Sequence, residues 1–205
     1  MRRWIFIAVA LFSAISFSPR SARADDATIT AQLQKVLDAY VKDRASIEGL
    51  SGVALQVDRG VGKPILEVYA GDNGLSDKKP IGPDTLFDIG SNTKEFTAAL
   101  ILKLEAAGKL KLDDTIGRWL PQYPAWKDVT IRSLLQMRSP IPNYSETVAI
   151  GEIQVADIHH QFSAKDLIGF VDPGAGQHFP PASGWFYSNT NYILAGLIIE
   201  ASPIA

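Results

Sequence analysis

Phe87-Asp88-Ile89-Gly90-Ser91-Asn92-Thr93-Lys94 runs without a break into an apolar stretch over 96–104. The pattern predicts a helix from about 92 to 107, apolar nearly all round and therefore buried. Ser91 and Lys94 stand three residues apart, which on a helix places them on one face about one turn from each other. An amine in that place can take the serine hydroxyl proton. An ordinary lysine, with a pKa of about 10.4, is protonated at neutral pH, and bringing it to about 7 means destabilising the ammonium by roughly 4 to 5 kcal/mol. Burial at the start of an apolar helix is expected to supply that destabilisation. The helix start also offers backbone N–H groups without intrahelical partners, one of which can face an oxyanion forming at Ser91. Asn92 followed by Glu95 fits a capping box equally well, with Ser91 merely preceding it, so this stretch alone leaves both readings open.

A second short motif lies far along the chain. Tyr187-Ser188-Asn189 opens a helix expected over 189–201 and is delivered by a Pro/Gly loop at 174–184. A phenol, with a pKa of about 10, becomes a usable base only when a nearby cation favours its anion, and Lys94 can be that cation. The alternative for Tyr187 is a core tyrosine packing the loop. For Asn189 it is a helix N-cap, which is compatible with a substrate contact.

Between and before these motifs the elements are simple. An amphipathic helix is predicted over 29–45, its stripe made of Leu33, Val36, Leu37, Tyr40 and Val41. Two strands, 52–57 and 64–70, flank the turn-rich Asp58-Arg59-Gly60-Val61-Gly62 and predict an antiparallel hairpin. A surface loop follows over 71–83, and short helices are predicted at 114–120, 131–137 and 164–171. No internal repeat, low-complexity tract or linker divides the chain.

Composition removes several function classes. A chain of 205 residues with a formal net charge of −2 and scattered basic residues suits one globular domain and no nucleic-acid partner. The absence of cysteine excludes disulfides and thiolate chemistry. Arg2, Arg3, an apolar run over 4–17 and Ala22-Arg23-Ala24 read as a cleavable export signal at 1–24, with a periplasmic chain at 25–205. An uncleaved anchor is the alternative, although the run is shorter than the roughly 20 residues of a spanning helix. No later run is long enough to span, so no transmembrane segment is expected after cleavage.

The blocks from Phe87 to Lys94, Leu110-Lys111-Leu112-Asp113-Asp114, Trp119-Leu120-Pro121 and Val129-Thr130-Ile131-Arg132-Ser133-Leu134-Leu135 stand in fixed order before Trp185-Phe186-Tyr187-Ser188-Asn189. Together they resemble the class C β-lactamase-like branch of the serine β-lactamase and penicillin-binding-protein family, over most of the chain from about Gly52. The resemblance implies an α+β fold in which an antiparallel sheet is flanked by helices beside an all-helical region. It implies Ser91 as acyl-accepting nucleophile, Lys94 as its proton partner, Tyr187 as second base and proton shuttle, and Asn189 as a donor to the substrate amide. The substrates implied are β-lactams, D-alanyl or peptidoglycan peptides, or small esters, with no cofactor and no metal, and a monomer is expected.

Two departures stand out. The family's His-x-Ser-Gly turn is replaced by Met137-Arg138-Ser139-Pro140, and proline fixes φ where glycine would allow a turn, so the loop over 140–144 is expected to sit differently at the cleft edge. Ala182 stands where a glycine commonly precedes the tyrosine motif. Other candidates point elsewhere. His159, His160 and His178 lack carboxylate or cysteine neighbours at ligand spacing and read as exposed loop histidines. Gly60-Val61-Gly62 lacks the third glycine of a nucleotide loop, and Asp113-Asp114 reads as a helix N-terminal cap.

The family's third motif, Lys- or His-x-Gly on a later strand, has no counterpart after His178, where no Lys, Arg or His occurs. A C-terminally truncated member, without the last strands and helix of the fold, is therefore the expectation. Losing one oxyanion donor costs about 3 kcal/mol of transition-state stabilisation. Three readings remain open at this stage: a periplasmic serine hydrolase working through an acyl-enzyme, a penicillin- or peptidoglycan-binding module that acylates without turnover, and an inactive fragment.

Overall fold

The computed structural model describes residues 25–171 and 183–202. The export signal read at 1–24, His178, Ala182 and all but the last two residues of the loop expected at 174–184 lie outside them. The chain divides into two compact units, the boundary in sequence falling between Phe87 and Asp88.

In the first unit, α1 (Asp26–Glu48) starts where the Asp25 carboxylate accepts the Thr28 N–H at 2.7 Å, and it stops at Gly49 with φ 65°. The stripe it buries is narrower than the sequence pattern implied. Leu37 is buried, with Leu33 and Val41 packed beside it, whereas Val36 is 67% exposed and Tyr40 also faces out. Residues at i, i+4 and i+8 make one line along a helix; Val36 and Tyr40 each precede that line by one residue, a rotation of about 100°.

The line packs on a two-stranded antiparallel sheet of β1 (Gly52–Val57) and β2 (Leu66–Gly71). Val53 pairs with Ala70, Leu55 with Val68 and Val57 with Leu66, which puts these six on one face, where Val53, Leu55, Val68 and Ala70 pack with Leu33, Leu37 and Val41 of α1. On the opposite face Gln56 donates to Glu67 at 2.7 Å. β2 begins two residues later than expected, because Pro64 has no N–H to give a ladder. Gly71 takes φ 83°, and a side chain there would collide with the Ser51 carbonyl, so only glycine fits. Arg59, in the hairpin turn, reaches the start of α1 and pairs with Asp26 at 2.7 Å, which holds the Asp26 carboxyl below the usual range.

The second unit holds α2 (Thr93–Ala106), α3 (Ile116–Trp119), α4 (Ile131–Leu135), α5 (Val148–Ala156), α6 (Ala164–Gly169) and α7 (Asn189–Ala201). α7 is its axis: α2, α3, α4 and α6 all pack against it, around Ile101, Ile116, Leu134, Ile168, Leu194 and Ile198. A small sheet with one helix and an all-helical unit make an α+β chain, as the resemblance implied.

Two expectations need correction here, and one helix was not expected. α2 is not buried all round: Ile101 faces α7, but Phe96 is 64% exposed and Leu100 and Leu102 are exposed as well, because α7 covers only one side. Asp113 and Asp114 do not cap a helix. Asp113 pairs with Arg132 at 2.9 Å, Asp114 accepts the Lys111 N–H and pairs with Arg118, and α3 begins later, after Thr115. α5 escaped sequence reading because it buries only Ile150, too little to give its short segment a helical period.

The core supports a direct test. Leu194 has no exposed surface, and Leu194→Ala is expected to destabilise the chain by about 2 to 5 kcal/mol. Val36→Ala, on the exposed side of α1, should move the thermal midpoint very little; equal shifts for the two would contradict this placement of the core.

Candidate active site

Ser91 is held by a tight turn rather than by a capped helix. The Asp88 carboxylate accepts the Gly90 N–H at 2.7 Å, Gly90 takes φ 50°, and residues Gly90–Asn92 form a 3-10 turn that feeds α2. The capping box suggested by Asn92 and Glu95 is not formed. Asn92 is already helical, at φ −62° and ψ −23°, and its side chain donates to the Ile89 carbonyl at 3.0 Å instead. Ser91 thus lies at the entry to α2, where N–H groups have no intrahelical partners, and Lys94 follows one turn on.

Tyr187 and Asn189 are brought in by α7, whose start is stitched to the segment after α4. The turn there is made by Met137 at φ 57°, and its thioether accepts from Ser188 N at 3.5 Å and Asn191 Nδ2 at 3.4 Å. Ser188 and Thr190 both donate to the Pro142 carbonyl, at 3.1 and 2.7 Å. Ser139 donates to Asn191 Oδ1 at 2.6 Å and accepts the Ile141 N–H at 3.2 Å, with both side chains wholly buried. Ser139→Ala strips a buried acceptor from Ile141 and a donor from Asn191, and is expected to cost about 1 to 3 kcal/mol. Denaturant unfolding measures it, and an unchanged midpoint would contradict the contact.

The four residues singled out from sequence meet at one place. Ser91 Oγ lies 2.7 Å from the Tyr187 hydroxyl and accepts from Lys94 Nζ at 3.0 Å. Lys94 Nζ also donates to Asn189 Oδ1 at 2.7 Å and sits 5.0 Å from the centre of the Tyr187 ring. Since Lys94 can only donate, the Ser91 hydroxyl proton is free to point at the tyrosine oxygen. Lys94 and then Ser91 hold the Tyr187 phenol below its ordinary pKa, while burial, with the charge of Tyr187 as a smaller cause, pushes the phenols of Tyr144 and Tyr192 up. Of these three phenols, only that of Tyr187 is shifted toward its anion.

The burial expected around Lys94 is not found. Lys94 is only half-buried, beside a Ser91 that is exposed and a Tyr187 that is 37% exposed. The arrangement instead lets a lysine cation favour the tyrosine anion, which can take the serine proton.

Ser91, Lys94, Tyr144, Gln154, Asn189 and Tyr192 line a cleft of about 630 Å³. Sequence reading missed Tyr144 and Gln154, along with Asn143 and Ser145 beside Asn189, because contacts across more than forty residues leave no local periodicity. Among the described residues no three His, Cys, Asp or Glu side chains gather as a metal site, and the His160 ring lies tilted against Phe162 with centroids 4.5 Å apart. No helix of the described residues is long and apolar enough to cross a membrane.

Comparison with known proteins adds a family. The family model described as Beta-lactamase matches residues 37–202. The chain is 36% identical over 127 residues to Penicillin-binding protein 4* of Bacillus subtilis, covering 62% of this chain and 27% of that protein. It is 28% identical over 214 residues to Esterase EstB of Burkholderia gladioli, covering 94% of this chain and 51% of the esterase. Among solved structures, the D-amino acid amidase of Ochrobactrum anthropi SV3 superposes with a TM-score of 0.66 at 30% identity, over 83% of this chain and 44% of the amidase. The chain therefore spans between about a quarter and half of the length of these relatives.

Proposed function

The chain belongs to the β-lactamase family, and from that premise we propose that it carries the acylation centre of a serine hydrolase, with Ser91 as nucleophile. The observation that supports this most is the contact of Ser91 Oγ with the Tyr187 hydroxyl at 2.7 Å and with Lys94 Nζ at 3.0 Å. Ser91 Oγ attacks an acyl carbonyl, its proton passes to the Tyr187 phenolate, and a tetrahedral intermediate forms. Collapse breaks the bond to the leaving nitrogen or oxygen, which takes the proton back from Tyr187 and leaves an ester on Ser91. Water then cleaves that ester by the same proton path. Asn189 contributes a side-chain N–H to a substrate amide.

The substrates proposed are β-lactams, D-alanyl peptides and small esters. The relatives are named for penicillin binding, esterase and amidase activity, which supports acyl transfer as the common chemistry rather than one acyl group. Delivery to the periplasm by the signal read at 1–24 belongs to the same proposal. The test is covalent labelling: benzylpenicillin or a small fluorophosphonate should add once, and the modified peptide should contain Ser91. Folded protein that takes up neither probe would sink the proposal.

A further inference from the structure

We propose that Ser145 is a positioning residue that orients the Asn189 side chain and leaves one amide hydrogen for a substrate carbonyl; this rests on the acyl-enzyme reading above. The direction of every bond around Asn189 follows from what its partners can do. Lys94 has donors only, so the oxygen of the Asn189 amide must face it, at 2.7 Å. The nitrogen then points the other way, to Ser145 Oγ at 3.0 Å.

Ser145 is fixed as an acceptor there. Its single hydroxyl hydrogen goes to Asn143 Oδ1 at 3.0 Å, while Asn143 turns its own amide nitrogen to Glu146 Oε1 at 3.2 Å. Asn143 Oδ1 also accepts the backbone N–H groups of Ser145 at 3.3 Å and Asn189 at 3.0 Å, which locks both segments together. The result is one directed chain of donors and acceptors running Lys94, Asn189, Ser145, Asn143 and Glu146. Asn189 Nδ2 carries two hydrogens, and Ser145 takes one of them. The other is left for a ligand in the cleft that Asn189 lines.

Without Ser145 Oγ the amide loses the acceptor that holds its nitrogen, and the second hydrogen is no longer aimed. The ligand chemistry affected is an amide carbonyl beside the scissile acyl bond. Benzylpenicillin has such an acylamino group, and a small fluorophosphonate has none.

The experiment compares second-order rates of Ser91 labelling by these two probes. Ser145→Ala is expected to slow penicillin labelling about tenfold and to leave fluorophosphonate labelling within about twofold. Ser145→Thr, which keeps the hydroxyl, should restore most of the penicillin rate. In an Asn189→Ala background, Ser145→Ala should add no further loss. An equal fall with both probes, or a full additional loss in that background, would overturn the positioning role. A readout independent of acylation is the side-chain amide signal of Asn189 in NMR. Its two hydrogens should be well dispersed in the native protein and should converge in Ser145→Ala. Unchanged signals overturn the Ser145 proposal even where labelling is absent, whereas absent labelling with converging signals counts against the acyl-enzyme reading alone.

Discussion

Ser91→Ala is expected to abolish covalent labelling and to lower any acyl-transfer rate on the order of 10⁶-fold, because the atom proposed to form the new bond is gone and its proposed proton partners have nothing to act on. The fold should survive the change. Ser91 is exposed, its carbonyl and N–H remain, and the Gly90–Asn92 turn depends on Asp88 and Asn92 rather than on the serine hydroxyl. Mass spectrometry after penicillin or fluorophosphonate treatment reads the outcome, with a thermal scan as the control for folding. An adduct persisting on Ser91→Ala protein would place the nucleophile elsewhere.

The next largest effects belong to the proton partners, and they differ in kind. Tyr187→Phe removes the group proposed to take the serine proton and should slow acylation by roughly 10²- to 10⁴-fold. The form of Tyr187 that accepts a proton is the phenolate, so acylation should rise with pH through the tyrosine pKa. Lys94 and then Ser91 lower that pKa from its ordinary value, so the rising limb is expected at lower pH than a free phenol would give. Lys94→Ala removes the first of these causes, so the rising limb should shift to higher pH, toward the value of about 10 of an unperturbed phenol, as well as losing height. Rate profiles with a fluorophosphonate, which has no acylamino group for Asn189 to hold, separate this from substrate binding. A limb that stays in place in Lys94→Ala, or persists unchanged in Tyr187→Phe, would remove Tyr187 from the role of base.

These effects rest on two different kinds of information in the chain. The hairpin was readable because two β-branched or apolar runs, 52–57 and 64–70, flank the turn-rich Asp58-Arg59-Gly60-Val61-Gly62, although the second strand in fact spans Leu66–Gly71. The helix after Ser91 and the helix after Ser188 were readable from their apolar runs. How far those helices are covered was not. A run that is apolar all round predicts a buried helix, yet Phe96, Leu100 and Leu102 face outward, since exposure depends on what other elements reach that side. The surroundings of Lys94 differ from the expected ones for the same reason. Burial was inferred from neighbours in sequence, whereas the structure provides hydrogen bonds and a half-open cleft.

By itself the sequence determined which groups could do chemistry. Ser91 and Lys94 share a helical face because the helix repeats every 3.6 residues, and Tyr187 and Asn189 stand at the head of a helix because a Pro/Gly-rich loop must end before it. Only the tertiary structure decided that these pairs meet. Residues 91 and 187 come within 2.7 Å because α7 packs against α2 around Ile101, Leu194 and Ile198, and that contact is made by side chains scattered over about a hundred positions. It also decided which way Asn189 faces. That orientation is set by donors and acceptors from Lys94 and from Ser145, and a hydrogen bond between distant segments has a direction only once both ends are in place.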